Sequence, residues 1–152
     1  MRHLTLVLAV FTALIATDST AQMKPRQGGG PQRLQTQSQP PIGQARRIDR
    51  REATRLVERG QAVFIDVRSQ ASFDSAHIKG ALSVPQSRLA ELLSSLPRNK
   101  MLIPYCACHA EETAALTVLY LDSHGIKNAA ALRGGWNEWV SAGLPVECSR
   151  VH

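Results

Sequence analysis

Two cysteines lie one residue apart in the segment YCACHAEE, which runs from Tyr105 to Glu112. A cysteine thiolate is both a nucleophile and a metal ligand, so Cys106 and Cys108 could form a catalytic thiol site, a disulfide or part of a metal site. A zinc site is disfavoured, because the two cysteines lack a second pair of ligands. A disulfide between them would close a small ring that is easily reduced. The remaining alternatives are a nucleophilic thiol, a reducible disulfide and two inert cysteines.

The elements that must position these cysteines alternate between strand and helix patterns. Short runs rich in apolar and β-branched residues predict strands. The predicted strands span residues 62–67, 81–84, 101–105 and 129–132. Apolar residues at helical spacing, closed by glycine or proline, predict helices. The predicted helices span residues 52–59, 73–77, 87–96, 111–124 and 136–142.

This alternation is typical of an α/β fold, in which helices cover both faces of a mostly parallel sheet. Ligands of such sheets bind beyond the carboxyl ends of the strands. Tyr105 ends the third predicted strand, so Cys106 falls where a binding loop is expected. The sequence therefore predicts that the functional site lies in the loop that follows Tyr105.

The first 21 residues have the pattern of a secretory signal peptide. Arg2 precedes an apolar stretch from Leu4 to Ala16, and Ser19-Thr20-Ala21 supplies small residues for cleavage. The stretch is shorter than the ~20 residues that a membrane-spanning helix needs, which disfavours a retained anchor. We expect cleavage after Ala21, a secreted and periplasmic location, and no membrane span after cleavage.

Residues 22–46 are predicted to form a disordered basic linker. They are rich in Gln, Pro and Gly and offer too little apolar surface to offset the entropy of ordering. The net charge of +6 comes from residues 22–51, which contain seven basic residues and one acidic residue, Asp49. From Glu52 to His152 the acidic and basic residues are equal in number. Aromatic residues are not interleaved with the basic ones, so nucleic-acid binding is not expected.

About 100 residues remain, which suits one small domain with a single core. We place the domain at residues 47–148 and a C-terminal tail at 149–152, and we expect a monomer. Cys148 follows the last motif of the domain and is expected to be exposed, either free or paired between chains.

Five motifs follow one another in an order and spacing that resemble those of a rhodanese domain. They are FIDVR (64–68), HIKGA (77–81), YC (105–106), LRGGWNEW (132–139) and GLPV (143–146). The resemblance extends from about Ile48 to Glu147. It implies a doubly wound α/β fold and a persulfide carried on a cysteine that ends a strand.

The resemblance also implies a sulfurtransferase. Such an enzyme moves sulfane sulfur from a donor, thiosulfate or a persulfide, to a thiol or cyanide. Cys106 would carry the sulfur, and a cradle of backbone N–H groups with a helix N-terminus would stabilise the anions without a metal or cofactor. The loop residues that would line the substrate site are Ala107, Cys108, His109, Ala110, Glu111 and Glu112.

The loop after Cys106 departs from the rhodanese pattern in length. Counted from Cys106, the distance to the helix-capping Gly125 is two residues longer than is usual in the family, whereas counted from Cys108 it is as expected. When residues are counted forward from Lys100 along the predicted strand, the family's catalytic position falls on Cys106. We assign the catalytic position to Cys106, because the spacing along a strand varies less than the start of a helix, which can begin one turn early.

The loop also departs from the pattern in composition. His109 takes the place of a glycine three residues after the cysteine, and Glu111 and Glu112 lie where an arginine or serine often occurs. We expect both glutamates in the first turn of the following helix, where the helix dipole favours carboxylates. The same charges would repel an anionic donor and raise the pKa of a nearby thiol. We therefore expect a donor less charged than thiosulfate, such as a persulfide.

Three residues are expected to support the site rather than to react. The resemblance implies that Asp66 and Arg68, which follow the first predicted strand, fix the loops around the site, and we expect them to form an ion pair; His77 is expected to order its turn. Two other functions stay open beside sulfur transfer. One is a Cys-x-Cys protein that handles disulfides or persulfides, and the other is a non-catalytic rhodanese-like binding module.

Overall fold

The computed structural model describes residues 41–149. The predicted signal peptide, the predicted linker up to residue 40 and residues 150–152 of the predicted tail lie outside the described residues. Residues 42–45, which the sequence assigns to the linker, contain a turn of 3-10 helix at Ile42–Gln44 and a buried Ala45. Between residues 41 and 149, no helix has the length and apolar character needed to cross a membrane.

The described residues form seven strands and five α-helices. The strands are β1 Arg47–Ile48, β2 Ala62–Asp66, β3 His77–Ile78, β4 Leu82–Ser83, β5 Met101–Tyr105, β6 Ala131–Leu132 and β7 Val146–Glu147. The helices are α1 Arg50–Glu58, α2 Gln70–Ser75, α3 Leu89–Leu92, α4 Glu112–Ser123 and α5 Gly135–Ser141. Strands and helices alternate along most of this length, as the sequence predicts.

A parallel sheet lies at the centre of the fold. β2 pairs in parallel with β4 on one side and with β5 on the other. A parallel bridge from Leu102 of β5 to Ala129 leads to β6, which pairs in parallel with β1. β3 and β7 form a separate antiparallel ribbon. The predicted α/β class with a mostly parallel sheet is confirmed.

Alternation along the two longest strands sends successive side chains into two different cores. Ile65 and Leu102 pack in one core with residues of α3 and α4. Phe64 and Ile103 pack in the other core with Ala53 of α1 and residues of α5. Helices therefore cover both faces of the sheet, as the doubly wound fold requires.

Several predicted boundaries were wrong where elements are short. The helix predicted at 73–77 lies at Gln70–Ser75, because the Ser69 side chain caps the backbone N–H of Ser72 and starts the helix earlier. His77 lies instead in β3. The helix predicted at 87–96 is α only at Leu89–Leu92, with 3-10 turns on either side. The strand predicted at 129–132 is reduced to β6 and the bridge at Ala129.

A buried carboxylate joins the carboxyl ends of the central strands. Asp66, the last residue of β2, is 1% exposed and accepts a hydrogen bond of 2.7 Å from the Tyr105 hydroxyl at the end of β5. The same hydroxyl accepts the backbone N–H of Ile78 in β3 at 3.1 Å. Arg68 completes the network through three side-chain hydrogen bonds to Asp66, at 3.0, 3.1 and 2.6 Å. Burial, followed by the charge of Asp66, raises the pKa of the Tyr105 phenol far above its usual range.

Tyr105→Phe should lower the free energy of unfolding by about 1–3 kcal/mol, because Ile78 N–H and Asp66 would each lose a buried partner. The folded pKa of Tyr105 is raised, so its stabilisation is fully present below the unfolded pKa, about 10, and is lost as pH rises above that value. The difference between wild type and Tyr105→Phe should therefore be constant at neutral pH and shrink above pH ~10. Urea unfolding at a series of pH values measures both effects.

Tyr120→Phe is the matched control, since it removes a hydroxyl from a partly exposed ring on α4. Its free energy of unfolding should stay within about 0.5 kcal/mol of wild type. An equal effect of the two changes would contradict the role given to the Tyr105 hydroxyl.

Candidate active site

Cys106 and Cys108 are joined by a disulfide at the carboxyl end of β5. Cys106 directly follows the strand and is 4% exposed, whereas Cys108 is partly exposed. Their Cα atoms are 5.5 Å apart. Of the alternatives that the sequence left open, the structure therefore shows the pair in its disulfide form. Cys148 is a free, exposed cysteine.

The backbone of Cys106 is held by the start of α5. Its carbonyl oxygen accepts the Trp136 N–H at 2.9 Å. Gly135 has a φ of +50°, and a Cβ at this position would overlap the Cys106 carbonyl oxygen. Asn137 adds a side-chain bond to the carbonyl of Ala107, at 3.2 Å. Gly135 of the LRGGWNEW motif is thus needed so that α5 can begin in contact with the cysteine loop.

The sulfur of Cys108 lies at the N-terminus of α4. It accepts the backbone N–H of Thr113 at 3.4 Å, and Thr113 is the second residue of this 12-residue helix. The N–H groups of a first helical turn have no partner within the helix, and the helix dipole makes this end attractive to anions. The sulfur atom that is bonded to Cys106 Sγ therefore lies in an environment suited to negative charge.

The loop between Cys108 and α4 has a strained backbone. Ala110 and Glu111 have φ values of 52° and 54°, in the left-handed region that residues with a Cβ seldom adopt. Such residues cost on the order of 1–3 kcal/mol each. The glycine of the rhodanese pattern corresponds to His109, but the left-handed backbone falls on the next two residues. The exposed Ala107, His109 and Ala110 form the outer surface of this loop.

The expected position of Glu111 was wrong. It precedes α4 instead of lying in its first turn, because its left-handed backbone ends the preceding turn. Its carboxylate accepts the Gly134 N–H at 2.7 Å and lies 3.6 Å from Nε of Arg47 in β1. Its charge is therefore balanced by an arginine from outside the loop. Glu112 does lie in the first turn of α4 and is exposed, so solvent screens its charge.

The predicted Asp66–Arg68 ion pair is present. Arg68 is held on several sides, since it also donates to the Ala76 carbonyl at 2.7 Å and lies over the Trp136 ring at 4.0 Å. Burial opposes the charge of Arg68, but the hydrogen bond and the charge of Asp66 outweigh it and raise the arginine pKa. Through these contacts the ion pair connects β2 to the start of α5, the helix that contacts the Cys106 loop.

His77 packs in the turn between α2 and β3. Its Nδ1 lies 2.8 Å from the Phe73 carbonyl oxygen, and its ring stacks on the Phe73 ring at 3.7 Å. Its Nε2 lies 3.3 Å from a carboxylate oxygen of Glu147 in β7. These contacts order the turn, as the sequence predicts, and none of them involves the cysteine loop. Among residues 41–149, no cluster of three or more His, Cys, Asp or Glu side chains could hold a metal ion.

The residues that sequence patterns did not identify act through the backbone or over long separations. Thr113 contributes only its N–H, and Arg47 meets Glu111 from a strand two residues long. Neither residue belongs to a sequence pattern that indicates its contact with the loop. The glycine pair Gly134-Gly135 is visible as a turn in the sequence, but its contact with Cys106 is not.

Comparison with known proteins gives a family. The model of the rhodanese-like domain family matches residues 49–142. The thiosulfate sulfurtransferase GlpE of Coxiella burnetii is 30% identical over 94 residues, which cover 62% of this chain and 86% of that protein. An HTH-type transcriptional regulator of Mycobacterium tuberculosis is 32% identical over 105 residues, 66% of this chain but only 44% of the regulator. This chain therefore spans less than half of that relative.

Solved structures give the same fold. A rhodanese-related protein from Thermoplasma volcanium superposes with a TM-score of 0.56 at 30% identity, over 67% of this chain and 97% of that one. The chain belongs to the rhodanese-like domain family. Its sulfurtransferase relatives support sulfur transfer of the rhodanese type as the general activity.

Glu111→Ala should lower the free energy of unfolding by about 1–3 kcal/mol, because Gly134 N–H loses a charged acceptor and Arg47 loses its partner. Glu112→Ala is the matched control at the neighbouring position and should cost only the dipole contribution, about 0.3–1 kcal/mol. Chemical unfolding of the two variants in parallel tests the contrast. A larger loss in Glu112→Ala than in Glu111→Ala would contradict the structural role of Glu111.

Proposed function

We propose that this protein is an exported sulfurtransferase that carries sulfane sulfur as a persulfide on Cys106. The donor is thiosulfate or a persulfide, and the acceptor is a thiol or cyanide. One observation carries the proposal: the sulfur atom bonded to Cys106 Sγ accepts an N–H from the first turn of α4. In the disulfide that sulfur belongs to Cys108. In a persulfide it would be the transferred sulfur.

Cys108 Sγ is thus a stand-in for the outer sulfur of a Cys106 persulfide. Both are sulfur atoms bonded to Cys106 Sγ, and the outer sulfur of a persulfide carries negative charge at neutral pH. The Thr113 N–H and the dipole of α4 would stabilise that charge. They would equally stabilise the sulfur of an incoming donor anion.

Cys106 is the better carrier of the two cysteines because its position is fixed. It follows β5 directly, and its carbonyl is held by the Trp136 N–H. Cys108 lies in a partly exposed loop next to the strained residues Ala110 and Glu111. A nucleophile held rigidly at the base of a site reacts from a defined geometry, which lowers the entropic cost of reaction.

Transfer takes two displacement steps. The Cys106 thiolate attacks the outer sulfur of thiosulfate, the bond between the two sulfurs of the donor breaks, and sulfite leaves with the electron pair. An acceptor thiolate or cyanide then attacks the outer sulfur of the persulfide, and the Cys106 thiolate leaves. Every electron pair that forms a bond is matched by one that leaves, so neither step needs a metal or an external oxidant.

The charge of the loop does not exclude thiosulfate. Glu111 is paired with Arg47 and bonded to Gly134 N–H, so the repulsion expected from the sequence is offset at that residue. Glu112 is exposed and screened. The preference for a less charged donor therefore loses its main basis, and the proposal includes both donor classes.

Export is proposed on the signal-peptide pattern of residues 1–21. A disulfide between loop cysteines fits an oxidising compartment such as the periplasm. The same disulfide also favours the second candidate function, the handling of thiols and disulfides by the Cys106–Cys108 pair.

A protein with the changes Cys108→Ser and Cys148→Ser keeps Cys106 as its one cysteine. When this protein is reduced, desalted and treated with thiosulfate, it should gain one sulfur, about 32 Da, because the Cys106 thiolate remains as nucleophile. Intact mass spectrometry measures the gain, and sulfite release should match it. The same protein carrying Cys106→Ala in addition should show neither.

The outcomes separate the candidates. A gain that requires Cys108 and survives Cys106→Ala in a Cys148→Ser protein would transfer the catalytic position to Cys108. No gain in any variant, with thiosulfate or with glutathione persulfide as donor, and no sulfite from thiosulfate would reject sulfur transfer and leave the two other candidates, disulfide handling by the cysteine pair and a non-catalytic binding module.

A further inference from the structure

We propose that Cys108 resolves the persulfide on Cys106, so that the protein releases the transferred sulfur as hydrosulfide and is left with the Cys106–Cys108 disulfide. This inference rests on the proposed function, because it begins from the Cys106 persulfide. It adds a further activity, the reductive release of sulfide from a sulfane donor. The sulfur then leaves without an external acceptor, and a dithiol restores the protein.

Geometry already brings the two sulfurs together. One residue separates the cysteines, and their Cα distance of 5.5 Å lies inside the range in which a disulfide forms without backbone movement, about 4.4–6.8 Å. Cys106 is buried and fixed at the end of β5, while Cys108 is partly exposed. Cys108 Sγ can therefore reach Cys106 Sγ, which is the inner sulfur of the persulfide.

The resolving step is a thiol–disulfide exchange in which the leaving group is hydrosulfide. The Cys108 thiolate attacks Cys106 Sγ and forms the disulfide bond. The proton that the Cys108 thiol gives up on ionising passes to the outer sulfur. The bond from Cys106 Sγ to the outer sulfur then breaks, and that sulfur leaves with the electron pair as HS⁻. The two cysteine sulfurs are oxidised by two electrons in total, and the sulfane sulfur is reduced to sulfide.

Hydrosulfide is a good leaving group for this exchange. Exchange is faster when the leaving thiol is more acidic, and hydrogen sulfide is a stronger acid than a cysteine thiol. The attack is also intramolecular, so Cys108 is present at a high effective concentration that a dissolved acceptor does not reach. These two factors favour resolution when acceptors are scarce.

Cys108 Sγ and the outer sulfur of the persulfide would compete for one place. In the disulfide, Cys108 Sγ occupies the position next to the Thr113 N–H. When the persulfide forms, that position is taken by the transferred sulfur, and Cys108 must lie elsewhere. Two residues of the same loop, Ala110 and Glu111, have a left-handed backbone while the disulfide is present.

Regeneration needs a reductant, which we assign to the dithiol class. One thiolate of the dithiol attacks Cys108 Sγ, the more accessible sulfur, and the Cys106 thiolate leaves. The second thiol of the dithiol then releases Cys108 and forms a disulfide of its own. Over the cycle, thiosulfate and the dithiol give sulfite, hydrogen sulfide and the oxidised dithiol. While the disulfide persists, Cys106 has no thiolate and the protein accepts no sulfur.

The test is a single turnover without reductant. Cys148→Ser protein, which keeps the loop pair and lacks the exposed third thiol, is reduced, desalted under anaerobic conditions and mixed with thiosulfate. Dithiothreitol is left out of the reaction, since it would itself take the outer sulfur. Sulfite, sulfide and intact mass are followed over time in this protein and in the same protein with Cys108→Ser.

The Cys148→Ser protein should release sulfite and sulfide in equal amounts, up to one of each per chain, and end two hydrogens lighter than its reduced form. The Cys108→Ser protein should release sulfite without sulfide and keep one added sulfur. These two patterns together support the inference.

Three results would overturn it. A stable added sulfur without sulfide in the Cys148→Ser protein would reject resolution and leave the proposed function intact. Sulfide release of the same size in the Cys108→Ser protein would show that Cys108 is not the resolving thiol. Absence of sulfite from both proteins would reject the proposed function and the inference with it.

Discussion

The buried carboxylate of Asp66 fixes the edge of the sheet on which the cysteine site is built. A carboxylate that is 1% exposed is costly unless charge and hydrogen bonds compensate it. Arg68 supplies the charge, and the Tyr105 hydroxyl supplies a further donor while accepting the Ile78 N–H. The carboxyl ends of β2, β5 and β3 are therefore joined at one point. Cys106 is the next residue after Tyr105, so this network sets where the nucleophile stands.

The site combines a fixed sulfur with a more movable one. Backbone contacts from α5 hold Cys106, and the absence of a Cβ at Gly135 permits their close approach. Cys108 belongs to the exposed side of the loop, yet its sulfur reaches the first turn of α4. A rhodanese-like site with one cysteine would bind only the transferred sulfur at that helix end. Here a second thiol reaches the same place, and from this competition we infer both sulfur transfer and its resolution.

Much of the fold is predictable because its signals are local and periodic. The buried strands β2 and β5, the long helix α4, the Asp66–Arg68 pair and the place of Cys106 after a strand all follow from short sequence patterns. Five strands have only two residues, too few to show a period; β4 and β6 lie within longer apolar runs and were predicted, whereas β1, β3 and β7 were not. The partner of Glu111 could not be predicted, because Arg47 is distant in the chain and the left-handed backbone falls on residues other than glycine. Counting residues from the strand assigned the catalytic position to Cys106, and counting back from Gly125 assigned it to Cys108. In the structure Cys106 follows the strand directly, and the sulfur of Cys108 lies at the start of α4.

A crystal structure of the Cys108→Ser protein after treatment with thiosulfate tests most directly whether the helix end holds the transferred sulfur. We predict one additional sulfur bonded to Cys106 Sγ, placed where Cys108 Sγ lies in the disulfide and within about 3.5 Å of the Thr113 nitrogen. An unmodified Cys106, in protein shown by mass to have accepted sulfur, would contradict it. So would an added sulfur on Cys106 that points away from the N-terminus of α4.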